Sequence, residues 1–284
     1  MEMKNFDTKE TNTWCPGCYN FVILNSMKKC LTGLVNQKKI KQKDIITVCG
    51  VSCAGKIFDY INVSGFFSSH GRTIASAMGI SVGNPNLKVI SFSGDGETYS
   101  EGVNHLIQAA RKNIDMTAVV HDNQVFALTT GQQTPTTPIG YKGKSNPNGT
   151  FDKPLNPIAL ALVSGATFVA RTSATDPTHM TKVFEEAIKH KGFALVEVLQ
   201  PCITFHNNAD YFKKKTYKIK PSNFNDAMKL ALEWNYNLVG KVPVGIFYKE
   251  KRKTFVEQLP VKGPFYKTKR NTVLTKKILD SFRF

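Results

Sequence analysis

The sequence predicts an α/β fold: a mostly parallel sheet with helices on both faces. Short β-branched runs alternate with longer segments whose apolar residues recur at helical spacing. The runs end in polar or Gly-rich clusters, and in parallel sheets such loops lie beyond the carboxyl ends of the strands, where ligands bind.

The elements follow in order. Residues 1–13 are polar and are expected to form a mobile arm. Between positions 19 and 34, Phe21, Leu24, Met27, Leu31 and Leu34 mark a helix. Residues 45–49 form a short strand that runs into a Gly-rich loop, and 71–82 read as a small-residue helix able to pack closely on a sheet. A strand over 87–92 ends at Gly94-Asp95-Gly96, a helix covers 103–111, and a strand over 116–120 ends at His121-Asp122-Asn123. Residues 124–152 are rich in Thr, Gly, Pro, Gln and Asn, and are too long for a plain connector, so they are expected to form a functional loop. Helix 157–164, strand 167–170, helix 177–190 and strand 194–199 complete the alternation. After position 205 only 222–234 reads as a helix, so the chain divides into 1–205 and a basic extension over 206–284 that wraps the core or a partner.

Composition narrows the class. Hydrophobic residues make up 41% of the 284, enough for a sizeable core. No apolar run is long enough to span a bilayer and the first residues lack a signal-peptide pattern, so a soluble, cytoplasmic protein without membrane attachment is expected. The net charge is +17, and +12 of it lies in positions 205–284, where 18 Lys and Arg face 6 Asp and Glu. Such a tail attracts an acidic partner. A zinc-bearing nucleic-acid-binding protein fits poorly, because the cysteines are scattered and no aromatic RNA-binding pattern occurs.

Asp95 and Asn123 stand 28 positions apart, each just beyond a strand. One strand–helix–strand unit puts both side chains at one sheet edge. A hard divalent cation takes oxygen ligands of this kind, together with phosphates. Gly94 and Gly96 let backbone approach a phosphate, and the helix after Gly96 presents free N–H groups.

Six cysteines occur, and without a secretory signal they are read as thiols or metal ligands. Cys15 and Cys18 form a C-x-x-C pair. Cys53 lies in the loop Gly50–Lys56, and Cys202 follows the last strand in Gln200-Pro201-Cys202. Four thiolates at one edge suit either tetrahedral zinc or an iron–sulfur cube, and spacing does not choose. Cys30 and Cys49 read as core residues.

The pattern from Gly94-Asp95-Gly96 to Asn123 resembles the thiamine-diphosphate motif, with Asp122 where an Asn is common. With WCPGCYNF, GVSCAGK, SSHGRTIASAMGI, NHLIQAARKNID and DNQVFALTTGQQTPTT, positions 12–205 resemble the β subunit of the 2-oxoacid:ferredoxin oxidoreductases, the pyruvate synthase group. The resemblance implies a thiamine-diphosphate-binding fold. It implies Mg²⁺ held by Asp95, Asn123 and the carbonyl of Val125, and a [4Fe-4S] cluster on Cys15, Cys18, Cys53 and Cys202. It places Lys56 and His70 near cofactor or substrate, and Leu128 and Thr129 beside the thiazolium. Glu97, where Asp is frequent, is expected outside the metal shell.

The activity so implied is oxidative decarboxylation of a 2-oxoacid, pyruvate favoured, to an acyl-coenzyme A and CO₂. Electrons would pass through the cluster to ferredoxin. No glutamate suited to activating the aminopyrimidine is evident, so a partner α subunit is expected to complete the site in a hetero-oligomer. Two basic clusters, Lys213 to Lys215 and Lys251 to Lys253, are candidates for docking an acidic ferredoxin. The alternative is a non-oxidative thiamine decarboxylase or transferase subunit with a structural metal.

Overall fold

The computed structural model describes residues 2–260, 263–267 and 271–283. Its elements are α1 (Asn20–Asn36), β1 (Ile45–Cys49), α2 (Ile57–Tyr60), β2 (Ser64–Phe67), α3 (Thr73–Gly83), β3 (Lys88–Gly94), α4 (Val103–Lys112) and β4 (Met116–Asp122). There follow β5 (Val125–Phe126), β6 (Gln132–Gln133), α5 (Pro157–Val163), β7 (Phe168–Ser173), α6 (Pro177–Lys189), β8 (Phe193–Leu199) and α7 (Ala209–Lys215). The last are β9 (Thr216–Lys218), α8 (Phe224–Glu233), β10 (Val242–Lys249) and α9 (Thr272–Ser281).

Among the described residues one 8-stranded sheet runs β2-β1-β3-β4-β8-β7-β10-β9. The pairs from β2 to β7 are all parallel, while β10 lies antiparallel to β7. Side chains alternate between two cores, as a two-period strand covered on both faces requires. In β8, Ala194, Val196 and Val198 join α1 and α6 on one face. Phe193 and Leu195 join α3, α4, α5 and α8 on the other. Helix starts are written locally. Asn156, Asp176 and Asn223 each accept a backbone N–H three residues on, and Pro157 and Pro177 occupy first-turn positions.

The parallel core thus matches the expected class, and two expectations change. Residues 3–13 are no free arm: Phe6 is fully buried, and Asp7 binds Lys28 Nζ at 2.7 Å. The apolar ring finds a gap beside α1, and the anchoring cation comes from α1 itself. The segment after 205 does not merely wrap the core, since β10 and β9 extend the same sheet and α8 covers one face. Pro243 and Gly245 hide β10 in the sequence; Gly245 has φ +139°, next to a register shift between Ile246 and Tyr248.

Strands β1, β3, β4 and β8 stand side by side in that order and run parallel, so all end at one edge. That edge carries the loops with Cys53, Gly94-Asp95-Gly96, Asn123 and Cys202. No helix among the described residues is long and apolar enough to cross a membrane.

Candidate active site at the carboxyl edge

Two cavities adjoin at this edge. The first, about 300 Å³, is lined by Gly94, Asp95, Gly96, Asn123, Val125 and residues of the Cys53 and Leu128 loops. The second, about 160 Å³, is lined by Cys15, Cys18, Cys53 and Cys202 together with Lys56. Cys53, Asn123, Ala127 and Leu128 border both, so one thin wall separates them.

The first cavity gathers oxygen donors of the kind that could hold a hard cation, beside glycine-flanked backbone that an anion could approach. Gly96 has no room for a side chain: a Cβ there would stand 2.2 Å from Phe126 Cε1. The chain then enters a π-helical turn, Glu97–Glu101, an irregularity frequent at functional sites. Asp95 Oδ2 accepts the Thr136 hydroxyl at 2.9 Å, and Asp122 Oδ1 lies 2.9 Å from the same hydroxyl. Burial pushes the Asp95 carboxyl up to about 6. It pushes Asp122 well above the carboxylate range, and the Asp95 and Glu197 charges add to that. Among the described residues Asp122 Oδ2 has no hydrogen-bond partner. Such a crowded carboxylate fits a cation: Asp95, the Asn123 amide oxygen and the Val125 carbonyl are hard oxygen donors.

The other expected residues fall as follows. His70 lines the first cavity, with Nδ1 3.0 Å from the Val51 carbonyl and Nε2 3.2 Å from Glu101. Leu128 is 44% exposed at the wall between the cavities. Thr129 lines the first cavity, its hydroxyl on Gln132 Oε1 at 2.6 Å. Lys56 lies at the cysteine cavity and not the first one, its Nζ 3.3 Å from the Thr13 carbonyl. Glu97 lines the first cavity but bonds Thr73 and packs on Gly50. Burial pushes its carboxyl up to about 7.

The cysteine cavity draws on four parts of the chain. Pro16-Gly17 closes the C-x-x-C turn: the Cys18 N–H bonds the Cys15 carbonyl at 3.0 Å, and Gly17 takes φ +78°. Trp14 Nε1 donates to the Cys53 carbonyl at 2.7 Å, tying this turn to the Cys53 loop. Backbone bonds between Cys202 and His206 fix the last cysteine. Burial raises the Cys18 thiol, and raises Cys53 to about 11; the neighbouring cysteines add to both, while Lys56 opposes the shift of Cys53. Cys30 and Cys49 are buried in the core, away from this cavity. Among the described residues no three His, Cys, Asp or Glu side chains form a compact cage for a single metal ion. Cys15, Cys18, Cys53 and Cys202 all line this one cavity.

Sequence reasoning missed Thr136, Gln200 and Asn20. Thr136 lies in the polar loop already marked as functional. Gln200 precedes Pro201-Cys202, and Asn20 is a fully buried polar residue at the start of α1.

This sheet and its loops are those of a thiamine pyrophosphate enzyme: residues 50–198 match the family model for the C-terminal TPP-binding domain. Residues 202–264 match the family model for the C-terminal part of the pyruvate ferredoxin oxidoreductase beta subunit. The 2-oxoacid:ferredoxin oxidoreductase subunit beta of a Sulfolobus species is 39% identical, over 91% of this chain and 89% of its own length. A 2-oxoglutarate synthase subunit KorB from Archaeoglobus fulgidus is 34% identical, over 87% and 88%. The solved 2-oxoglutarate:ferredoxin oxidoreductase of Magnetococcus marinus superposes with TM-score 0.85 at 30% identity, covering 99% of this chain and 91% of that one. The chain belongs to the β subunits of the 2-oxoacid:ferredoxin oxidoreductases.

Proposed function

We propose that this β subunit, joined to an α subunit, oxidatively decarboxylates a 2-oxoacid to an acyl-coenzyme A, passing electrons through a [4Fe-4S] cluster to ferredoxin. The observation that carries this reading is the shared wall between the cavity that holds Asp95 and Asn123 and a cavity lined by four cysteines. Thiamine diphosphate supplies the nucleophilic carbon and electron sink when bound, and a cluster supplies a one-electron acceptor beside it. Asp95, Asn123 and the Val125 carbonyl would hold Mg²⁺, which would neutralise the charge of the diphosphate. Leu128 offers an apolar surface to the thiazolium, and Thr129 stands beside it. His70 is oriented by Val51 and Glu101 toward the same cavity. Lys56 places positive charge beside Cys53, which favours the thiolate form.

Zinc carries no electrons, whereas an iron–sulfur cluster beside a thiamine site accepts them one at a time, and this favours the cluster over zinc. Pyruvate is the first substrate to test, in keeping with the C-terminal family match. 2-Oxoglutarate is the second, because several relatives are named for it.

The two chains purified together without oxygen should be brown, bleach with dithionite, and reduce a viologen dye only with coenzyme A and one of a panel of 2-oxoacids. Cys202→Ala should remove the colour. A colourless, zinc-loaded complex would favour the non-oxidative alternative.

The positions of the lysines favour one of the two basic clusters as the ferredoxin-docking face. Lys213, Lys214 and Lys215 end α7, beside Ser173 and Thr175 at the carboxyl edge. Lys251, Arg252 and Lys253 lie beyond the end of β10, which pairs with the start of β7, at the opposite edge. A strand of 6 residues separates the edges, about 20 Å. Reversing the charge of Lys213, Lys214 and Lys215 should slow ferredoxin association about tenfold at low salt and flatten its salt dependence. The same change at Lys251 to Lys253 should leave both unaltered. Stopped-flow reduction of ferredoxin measures each, and an effect at the second cluster alone would reject this docking face.

A further inference from the structure

Gln200 touches both cavities' machinery. It is 2% exposed, and its backbone N–H bonds the Asp122 carbonyl at 2.8 Å, pinning the end of β8 to the end of β4. Its Oε1 accepts from Asn123 Nδ2 at 3.2 Å. Its Nε2 donates to the Pro201 carbonyl at 2.9 Å and faces Cys18 Sγ at 4.0 Å. One amide thus spans from the side chain offered to Mg²⁺ to a sulfur of the cysteine ring.

Two further groups face these sulfurs. The Asn20 backbone and side chain act on Cys18. Asn20 Oδ1 is 2.8 Å from His121 Nδ1, and among the described residues its buried Nδ2 has no hydrogen-bond partner. Burial holds His121 neutral, near 3, so its Nδ1–H can donate to that oxygen. The Thr204 hydroxyl lies 3.6 Å from Cys15 Sγ. Donors to cluster sulfurs favour the more negative, reduced state and raise its potential. Of these groups, Gln200 is the one that also bonds Asn123.

We propose that Gln200 couples occupancy of the diphosphate–Mg²⁺ site to the reduction potential of the cluster. This rests on the reading that the four cysteines hold an iron–sulfur cluster. Asn123 Oδ1 now accepts the Val125 N–H at 3.1 Å. A cation drawing on that oxygen polarises the Asn123 amide, and hydrogen-bonded amides pass polarisation along the chain. Gln200 Nε2–H then becomes a stronger donor toward Cys18. Loading the cofactor raises the potential, and by reciprocity reduction of the cluster tightens cofactor binding. The reduction adds one electron to the cluster, from dithionite in the test below, and Gln200 neither gains nor loses a proton.

The test uses the anaerobically purified complex with its partner subunit. Thiamine diphosphate with Mg²⁺ is titrated into oxidised and dithionite-reduced enzyme, and the cluster midpoint is read by EPR-monitored redox titration. The wild type should bind about tenfold tighter when reduced, which for one electron is a rise of ~59 mV on loading. Gln200→Met fills the same space without an amide, and should bring the affinity ratio to one while keeping the iron content and EPR signal. Thr204→Val should lower the midpoint yet retain the ratio. If Gln200→Met fails to assemble, Gln200→Glu keeps the acceptor for Asn123 and removes the donor, and should also abolish the ratio. A tenfold ratio surviving in either Gln200 variant would overturn the coupling and leave the cluster reading intact. A wild-type complex with no cluster signal would overturn both.

Discussion

An Asp95→Asn enzyme should fold at least as stably as the wild type before cofactor is added, and should gain nothing from thiamine diphosphate and Mg²⁺. The reason lies in the Thr136 hydroxyl, which is 2.9 Å from both Asp95 Oδ2 and Asp122 Oδ1. One hydroxyl carries one hydrogen, so it cannot satisfy both oxygens at once. Asp95 and Asp122 are buried side by side, with Glu197 acting on Asp122 as well. A neutral amide at 95 relieves this crowding, worth on the order of 1 kcal/mol. The wild type, at cofactor 100-fold above its dissociation constant, should gain about 2.7 kcal/mol. The variant should lose that gain and with it 2-oxoacid-dependent viologen reduction. Thermal denaturation of the complex with and without cofactor reads both effects. An Asp95→Asn complex still stabilised by the cofactor would show that the cation is held elsewhere.

That opposition between stability and binding is a property of three-dimensional crowding, and only half of it could be read in the sequence. Asp95 and Asn123 were legible because one strand–helix–strand unit forces both to a common edge. Cys53 and Cys202 were legible for the same reason, each following a parallel strand. Thr136 was not: it reaches Asp95 from 41 positions away, through a loop with only short strand pairing. Gln200 and Asn20 carry no motif, and their meaning comes from facing Cys18 and, for Gln200, from its bond to Asn123. The arm over residues 1–13 looked free because Phe6 is its single aromatic residue and most of its neighbours are polar or charged. The two basic clusters of the tail were legible, but not that they lie at opposite ends of the sheet. Pro243 and Gly245 disguised the strand that brings part of the tail into the fold.

The same strand underlies the largest stability effect expected. Arg171 on β7 faces its register partner Glu197 on β8, and both side chains are fully buried. Arg171 Nε binds Glu197 Oε2 at 2.6 Å, while its other nitrogens reach the Pro243 carbonyl at 3.2 Å and the Tyr236 hydroxyl at 2.5 Å. The guanidinium also lies 5.0 to 5.4 Å from the rings of Trp234, Tyr236 and Phe247. All four of those tail residues lie beyond position 205, so one cation fastens the C-terminal segment to the cofactor-binding sheet. Arg171→Met fills the space but strands the Glu197 charge beside Asp122, at about 3–5 kcal/mol. Against a total of roughly 5–15 kcal/mol this is severe. Adding Glu197→Gln should recover more than half, because the penalty is mostly an unpaired charge and not lost packing. The damage should also reach the active site, since the Tyr236 carbonyl accepts Gln124 Nε2 at 2.8 Å, one residue from Asn123. Cofactor affinity should therefore fall in Arg171→Met and return in part with the second change. Urea denaturation and cofactor titration of both variants decide it: an Arg171→Met complex within 1 kcal/mol of the wild type, roughly the spread of ordinary substitutions, would mean that the tail is held by its apolar contacts alone.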